Sequence, residues 1–241
     1  MKFKVFDSYE ELSAYSAEIV AGVIREKEDA VLGLATGSSP MGLYEELIKL
    51  YEDGNLDFSR VKSVNLDEYV GLDESHSQSY RYFMNINFFN HINIDKKNTH
   101  VPSGVAEDLE KAAEEYDEVI DSLGGIDVQV LGIGPNGHIG FNEPSDELKV
   151  HTHVANLTEG TIQANARFFS SEDEVPTQAV TMGVGPIIKA KKIILIATGD
   201  NKAQAVKSLA DDVVTTDIPA TLLKLHPDVT VVLDRKAASL L

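Results

Sequence analysis

The sequence predicts an α/β fold, a three-layer αβα sandwich on a mostly parallel, doubly wound sheet, with one domain across residues 1–241. Apolar runs of strand length, such as residues 30–35 and 192–197, lack polar alternation, as expected of parallel strands covered on both faces. Segments of helical periodicity alternate with these runs, which is the pattern of a parallel sheet with crossover helices. No repeat, linker or low-complexity segment divides the chain, and its length suffices for one sizeable core.

Capping signals, apolar periodicity and Gly or Pro breaks delimit the individual elements. Ser8 and Glu11 have the spacing of a capping box, so the first helix begins there, and its apolar face extends to about Lys27. Gly124 and Gly125 end a later amphipathic helix. The predicted strands are residues 3–6, 30–35, 61–66, 126–131, 151–154, 178–182, 192–197 and 229–233. The predicted helices are residues 9–27, 41–51, 77–91, 107–123, 184–190, 201–209, 218–225 and 235–241.

Composition excludes several classes of function. The chain has no cysteine, so disulfide frameworks and thiol chemistry are excluded and a cytoplasmic location is expected. A formal net charge of −18 argues against nucleic acid as a partner. No run approaches the roughly 20 apolar residues of a membrane helix, and residues 1–7 lack the apolar stretch of a signal peptide. An anionic small molecule is still compatible, because a local pocket of cations and backbone N–H groups can override the overall charge.

Residues 131–144 form a glycine-rich loop directly after an apolar strand. Its four glycines allow sharp turns and a close approach of the backbone to a ligand. The loop contains one histidine, His138, and one carboxylate, Glu143, and Pro144 prevents a helix from continuing. Such a loop stabilises a fold poorly, so we interpret it as the acid–base half of an active site.

Cofactor and metal signals near this loop are weak. Gly132 to Gly137 matches G-x-G-x-x-G, but Pro144 interrupts the required helix and the acidic residue expected about 20 positions on is missing. No organic cofactor is therefore expected. His151 and His153 would share one face of a strand, which permits a metal site, but no further ligand lies close in sequence and no metal is expected.

Three segments carry candidate phosphate ligands. Residues 36–39, Thr-Gly-Ser-Ser, join a strand to a helix start, an arrangement that offers N–H groups and hydroxyls to a phosphate; Ser39 before Pro40 would equally serve as an ordinary N-cap. A second Ala-Thr-Gly turn precedes Lys202, whose charge opposes the dipole of the helix it begins. Residues 157–171 are either a mobile cover over a pocket, with Arg167 as an anion clamp, or a surface helix whose two phenylalanines dock on the core.

Asp67 and Glu68 follow the third predicted strand, at the end where ligand sites of α/β proteins form. The alternative is a solvated loop. The next helix is rich in aromatic residues that we assign to the core, while Arg81 within it is either a ligand contact or a surface residue.

Two motifs in this order resemble glucosamine-6-phosphate deaminases: Asn-Leu-Asp-Glu-Tyr-Val-Gly-Leu at residues 65–72 and Gly-His-Ile-Gly-Phe-Asn-Glu-Pro at residues 137–144. The two Ala-Thr-Gly turns and Ala-Arg-Phe-Phe at residues 166–169 resemble the same family, so the likeness covers essentially the whole chain. The resemblance implies conversion of glucosamine 6-phosphate and water to fructose 6-phosphate and ammonia, without metal or cofactor.

The resemblance also implies residue roles. His138 would move a proton between the ring oxygens as the sugar opens, since an imidazole takes up and releases protons near neutral pH. Glu143 and Asn136 would orient it, and Asp67 would remove the C2 proton, with its pKa raised by burial. The phosphate would be held by Thr36, Gly37, Ser38, Ser39, Arg167 and Lys202.

Regulated members of the family carry Asp where this chain has Asn136, and they have basic residues after the Asn-Glu-Pro segment and a C-terminal extension. We therefore expect no activation by N-acetylglucosamine 6-phosphate, and a monomer or small homo-oligomer. Two alternatives remain open at this point. A 6-phosphogluconolactonase shares the fold but needs no C2 base, and a sugar-phosphate-sensing domain would show no turnover.

Overall fold

The computed structural model describes residues 1–167, 169, 171 and 174–241. Within that part of the chain, no helix is long and apolar enough to cross a membrane. The strands are β1 Lys2–Phe6, β2 Val31–Leu34, β3 Lys62–Asn65, β4 Asp67–Tyr69, β5 Thr99–His100, β6 Val128–Leu131, β7 His153–Asn156, β8 Gln178–Thr181, β9 Ile193–Ala197 and β10 Val229–Asp234. The helices are α1 Tyr9–Glu26, α2 Met41–Glu52, α3 Tyr80–Asn87, α4 Leu109–Ser122, α5 Glu159–Ala166, α6 Val184–Lys189 and α7 Ala203–Ala210.

A seven-stranded parallel sheet in the order β1-β10-β9-β6-β2-β3-β5 forms the centre. One apolar core lies between its first face and helices α1, α2 and α3, and a second core lies between the other face and helices α4, α6 and α7. Strands β6 and β9 are buried along their whole length, because helices cover both faces. The predicted three-layer, doubly wound α/β fold is confirmed.

The strand order reverses between β2 and β6. From β2 the chain moves through β3 to β5 at one edge, whereas β6, β9 and β10 extend the sheet the other way. Ligands of doubly wound proteins bind at such a switch point, beyond the carboxyl ends of the strands. The loops that follow β9, β6, β2 and β3 therefore emerge side by side at one edge.

A second, three-stranded antiparallel sheet in the order β4-β8-β7 is not predicted by the sequence. Strand β4 begins two residues after β3 ends and pairs Asp67 with Thr181 of β8. Asp67 and Glu68 are both buried, so the solvated-loop alternative for this pair is wrong. Three residues are too few to show an alternating pattern, which explains why the strand escaped sequence analysis.

Two helix predictions are wrong: one helix is shorter than predicted, and one predicted helix is absent from its segment. The predicted helix 77–91 is shorter, because the Ser79 hydroxyl accepts the Tyr82 N–H as an N-cap and fixes the start at Tyr80. It ends at Asn87, and residues Phe89–His91 form a separate 3-10 turn. Residues 235–241 form turns rather than a helix, since a seven-residue segment has little cooperative gain and Asp234 accepts the Ala237 N–H in a local turn.

Candidate active site

A cavity of about 820 Å³ opens at the edge where the loops after β9, β6, β2 and β3 meet. Nine of the ten predicted site residues line it, and the tenth, Glu143, is hydrogen-bonded to two of them. The nine are Thr36, Gly37, Ser38, Ser39, Asp67, Asn136, His138, Arg167 and Lys202.

Glycines shape the loop that carries His138. Gly137 and Gly140 have φ angles of +83° and +58°, in the left-handed region that side chains other than glycine rarely adopt. A Cβ on Gly134 would lie 2.3 Å from the imidazole ring of His138, so only glycine leaves space for that ring. The loop thus turns back on itself and packs the imidazole against its own backbone.

His138, Glu143 and Asn136 form one hydrogen-bonded group. The Nδ1 of His138 lies 3.2 Å from Glu143 Oε2, and Asn136 Nδ2 donates to the same oxygen at 2.7 Å. Because a carboxylate only accepts, Nδ1 carries the proton and Nε2 is the nitrogen that can take one up. The Asn136 side chain also accepts the backbone N–H of His138 at 3.2 Å.

Glu143 receives a further hydrogen bond that the sequence did not predict, from the hydroxyl of Thr161 to Oε1 at 2.5 Å. Burial alone would raise the pKa of Glu143, but the hydrogen bond and charge of His138, with the bonds from Thr161 and Asn136, lower it to about 2. Glu143 is therefore ionised at every physiological pH.

Asp67 lies in the opposite electrostatic environment. Its side chain is buried, and it accepts no hydrogen bond from any described residue. Burial, followed by the charge of neighbouring Glu68, raises the pKa of Asp67 to about 8. A carboxyl group in this state is a much stronger base than an ordinary aspartate.

Glu68 is an anchor that sequence analysis left without a role. Its Oε1 accepts the N–H groups of Tyr69 and Tyr80, both at 2.9 Å, and its Oε2 accepts that of Arg81 at 3.0 Å. The carboxylate thus satisfies the first free N–H groups of α3 and fixes this helix against the strand that carries Asp67. Arg81 itself bonds to Thr99 in β5, which makes it a structural link within the fold.

The turn at residues 36–39 forms one end of the cavity. Gly37 has a φ of +87°, and the hydroxyl of Tyr9 lies 2.9 Å from the Ser38 carbonyl oxygen and accepts the Gly42 N–H. The alternative interpretation of Ser39 as an N-cap is wrong: Pro40 occupies the N-cap position of α2, and no side chain caps the helix there.

Lys202 and Arg167 bring positive charge to the same cavity. Lys202 ends the 3-10 turn Asp200–Lys202 and lies directly before α7. Burial, together with the positive charge of Arg167, lowers the pKa of Lys202 to about 8. Among the residues that the structure describes, none makes a hydrogen bond or ion pair with the Lys202 ammonium, so an anionic ligand would be its natural partner.

Helix α5 forms a wall of the cavity, which agrees with the predicted position of residues 157–171 at a pocket, while their mobility stays a prediction. Asn165 Nδ2 donates to the hydroxyl of Tyr69 at 2.8 Å, and the ring of Phe169 lies 5.8 Å from that of Tyr69. The predicted docking of two phenylalanines is thus tested only for Phe169, because Phe168 lies outside the described residues.

The aromatic residues after β4 divide between two environments. Phe88 and Phe89 are buried in the core, as predicted, whereas Tyr80, Tyr82 and Phe83 line the cavity. The two histidines considered for a metal have protein partners that need no metal: His151 contacts Asp117, and the Nδ1 of His153 contacts the His151 carbonyl oxygen.

The chain is similar to known proteins along nearly its whole length. The family model for glucosamine-6-phosphate isomerases and 6-phosphogluconolactonase matches residues 7–232. Glucosamine-6-phosphate deaminase of Thermoanaerobacter pseudethanolicus is 57% identical over 241 residues, which cover 100% of this chain and 95% of the relative.

Solved structures agree with the sequence comparison. A monomeric glucosamine-6-phosphate deaminase, 50% identical, matches with a TM-score of 0.98 over 100% of both chains. A 6-phosphogluconolactonase from Trypanosoma brucei matches with a TM-score of 0.76 over 99% of this chain and 97% of its own, but at 21% identity this likeness shows the fold alone.

Proposed function

Because the chain belongs to the family of glucosamine-6-phosphate isomerases and 6-phosphogluconolactonases, and is 57% identical over its full length to a glucosamine-6-phosphate deaminase, we infer that it is such a deaminase. It converts glucosamine 6-phosphate and water to fructose 6-phosphate and ammonia in amino-sugar catabolism. The observation that carries the proposal for its site is the pair of dissimilar carboxyl groups, Asp67 in the lining of a cavity that also contains cations and Glu143 hydrogen-bonded to His138 of the same lining.

Ring opening is the task of His138. The Nε2 of its imidazole takes the proton of the C1 hydroxyl, the C1–O5 bond breaks to leave an aldehyde, and O5 receives a proton in return. Glu143 is ionised and holds the Nδ1 proton, so it stabilises the imidazolium that forms between these transfers. Asn136 links the Glu143 carboxylate to the loop, because its side chain donates to the carboxylate and accepts the backbone N–H of His138.

Proton transfer from carbon is the task of Asp67. Its carboxylate removes the C2 proton of the open-chain sugar. The C2–H electron pair forms a C1–C2 double bond while the π pair of the C1 carbonyl moves to O1, which takes up a proton. The C2 proton then returns to C1 as the nitrogen lone pair forms the C2=N bond, and the nitrogen gives up one proton, which balances the proton gained by O1. The resulting imine at C2 takes up water and releases ammonia, which leaves the ketone of fructose 6-phosphate. The raised pKa of Asp67 brings its basicity closer to that of the weakly acidic C–H group.

The phosphate is proposed to bind at the turn of residues 36–39 together with Arg167 and Lys202. Backbone N–H groups, hydroxyls and two cations suit a dianion, and phosphate charge would relieve the repulsion between Arg167 and Lys202. Binding energy at this end, remote from the chemistry, positions C1 and C2 between Asp67 and His138.

A monomeric state and a cytoplasmic location complete the proposal. The similarity to a monomeric deaminase, with a TM-score of 0.98, supports the first. The absence of cysteine and the phosphorylated substrate support the second. Activation by N-acetylglucosamine 6-phosphate is not expected, and a clear rise in activity on adding it would contradict this.

Ammonia release by the purified protein tests the function. We expect ammonia and fructose 6-phosphate in equal amounts from glucosamine 6-phosphate, and no acceleration of 6-phosphogluconolactone hydrolysis. Lactone hydrolysis without ammonia release would instead favour the lactonase alternative, and no turnover of either compound would favour a sensor. The variant His138→Gln is the control, because it removes the proton shuttle and should release almost no ammonia.

A further inference from the structure

Thr161 contacts the relay from a different element of the chain. Its hydroxyl donates to Oε1 of Glu143 at 2.5 Å, whereas the other carboxylate oxygen, Oε2, accepts from Asn136 at 2.7 Å and faces His138 Nδ1 at 3.2 Å. Bonds to both oxygens fix the plane of the carboxylate. Without the bond from Thr161, rotation about the last side-chain torsion would be restrained at one oxygen only.

The hydroxyl of Thr161 is itself held in place. Thr158 is the N-cap of α5: its Oγ1 accepts the Thr161 N–H at 3.3 Å and donates to Thr161 Oγ1 at 3.1 Å. A chain of hydrogen bonds therefore runs from Thr158 through Thr161 to Glu143, and each bond polarises the next. This chain exists only when the first turn of α5 is formed.

One turn later, α5 contacts the other half of the site. Asn165, four residues after Thr161 and on the same face of the helix, donates to the hydroxyl of Tyr69 in β4, the strand that carries Asp67. The sequence of α5, Glu-Gly-Thr-Ile-Gln-Ala-Asn-Ala, is short and contains weak helix formers, so these two contacts contribute to its order.

We propose that Thr161 is a positioning residue that holds the Glu143 carboxylate in the orientation presenting Oε2 to His138, so that the first turn of α5 is part of the acid–base relay. The proposal rests on the proposed function and deepens it. It makes ring opening depend on a helix that also leads to Arg167, a candidate phosphate ligand.

Replacement of Thr161 by Val, Ala or Ser separates the hydroxyl from the packing of the side chain. Thr161→Val keeps the shape of the side chain and loses the hydrogen-bond donor, whereas Thr161→Ser keeps the donor. Thr161→Ala also loses the donor, and it replaces the Val variant if that variant does not fold, because alanine favours the helix. We expect kcat for ammonia release to fall about 10- to 100-fold in the Val and Ala variants, with KM within about threefold, and to recover in the Ser variant.

Thr152 provides a matched control. It is buried, and its hydroxyl also donates to a carboxylate at 2.5 Å, that of Asp117, away from the residues that line the cavity. Thr152→Val removes the same kind of bond, so it should lower the melting temperature to a similar extent while kcat stays unchanged.

Several outcomes would overturn the proposal. These are a kcat of Thr161→Val within twofold of the Thr152→Val value, a Ser variant as impaired as the Val variant, or a rise in KM with kcat unchanged. Failure of the unaltered protein to release ammonia would refute the proposed function instead. In that case the role of Thr161 can still be tested by NMR with 15N-labelled histidine. The chemical shift of the His138 Nδ1 proton should change in Thr161→Val and stay the same in Thr152→Val.

Discussion

Asp67 is a buried carboxyl group that lines the cavity, and Glu143 is a partly buried carboxyl group beside His138 at the same cavity, yet their surroundings act on them in opposite directions. Asp67 accepts no hydrogen bond from the described residues and lies beside the carboxylate of Glu68, and its pKa is raised to about 8. Glu143 accepts bonds from three side chains, and its pKa is lowered to about 2. Burial raises the pKa of both groups, and the hydrogen-bond donors that surround Glu143 but not Asp67 reverse the direction of the shift at Glu143.

The opposite pKa shifts of Asp67 and Glu143 suit the two groups to different chemical roles. A carboxyl group with a raised pKa can take a proton from carbon and return it, whereas a carboxylate that stays ionised can only orient and stabilise its imidazole partner. One cavity therefore contains a base and an orienting anion made from the same functional group. Substitutions that exchange carboxylate for amide at each position should separate these roles.

Asp67→Asn should have the largest effect on activity. We expect kcat to fall by about 10³-fold or more while KM changes little, because an amide cannot accept the C2 proton. The folded-state pKa of about 8 lies above the ordinary aspartate pKa of 3.8, so stability is lost as pH rises from about 4 to 8.

The same variant should therefore be more stable than the parent protein by about 3–5 kcal/mol at pH 8, and the gain should vanish near pH 4. Denaturant unfolding at several pH values measures it. Near-normal turnover would refute the base assignment, and a loss of stability at pH 8 would refute the dry environment of Asp67.

Glu143→Gln should affect activity less and stability in the opposite sense. We expect kcat to fall by about 10²-fold, since His138 keeps its place in the loop but loses its anionic partner. The folded-state pKa of about 2 lies below the ordinary glutamate pKa of 4.5, so the carboxylate contributes stability above pH 4.5 that is lost as pH falls toward 2.

At pH 7 this variant should be less stable by about 2–3 kcal/mol, as measured by urea unfolding. The comparison between the two carboxyl groups fails if Asp67→Asn and Glu143→Gln change stability in the same direction at pH 8.

Lys202 extends the comparison to a cation in dry surroundings. Lys202→Met should raise KM about 10- to 50-fold with little change in kcat, because it removes a charged partner of the phosphate and leaves the chemistry intact. Exposed Lys207 on α7 is the matched control, and Lys207→Met should leave KM unchanged. Equal KM values for the two variants would exclude Lys202 from the phosphate site.

Glu68→Gln should have the smallest effect on activity, and this effect should appear in the pH dependence of kcat/KM. For the parent protein we expect kcat/KM to peak near pH 8, with an acid limb set by ionisation of Asp67 and an alkaline limb set by Lys202. Removal of the Glu68 charge should lower the pKa of Asp67 and move the acid limb down by several tenths of a pH unit. Exposed Glu114→Gln is the control, and an acid limb that stays in place in Glu68→Gln would show that this charge does not reach Asp67.

Sequence analysis predicted the parallel sheet because buried strands and amphipathic helices leave strong periodic patterns. It also identified the residues at the cavity, since Gly-rich turns after apolar strands mark the carboxyl edge of such a sheet. It missed Thr161, and it singled out Glu68 beside Asp67 without assigning it a role, because the functions of both residues depend on contacts with other segments. Thr161 has the ordinary pattern of a residue in the first turn of a capped helix, and nothing in the sequence links it to Glu143.

The extent of short elements was also beyond sequence patterns. Strand β4 has three residues, and its pairing with β8 is decided by a partner more than 100 positions away. The terminal residues 235–241 have helical composition but form turns, although Ala237 packs in the core, because a seven-residue segment has little cooperative gain as a helix. In such short segments, packing against the rest of the protein determines the secondary structure more than the local propensity of the residues does.

The central claim, that burial without hydrogen bonds makes Asp67 the base, is tested most directly by its own titration. Carbon-13 NMR of the aspartate carboxyl groups, with the Asp67 signal assigned through Asp67→Asn, follows its ionisation in the free enzyme. The account predicts a midpoint near pH 8. A midpoint near the ordinary aspartate value of about 4 would contradict it.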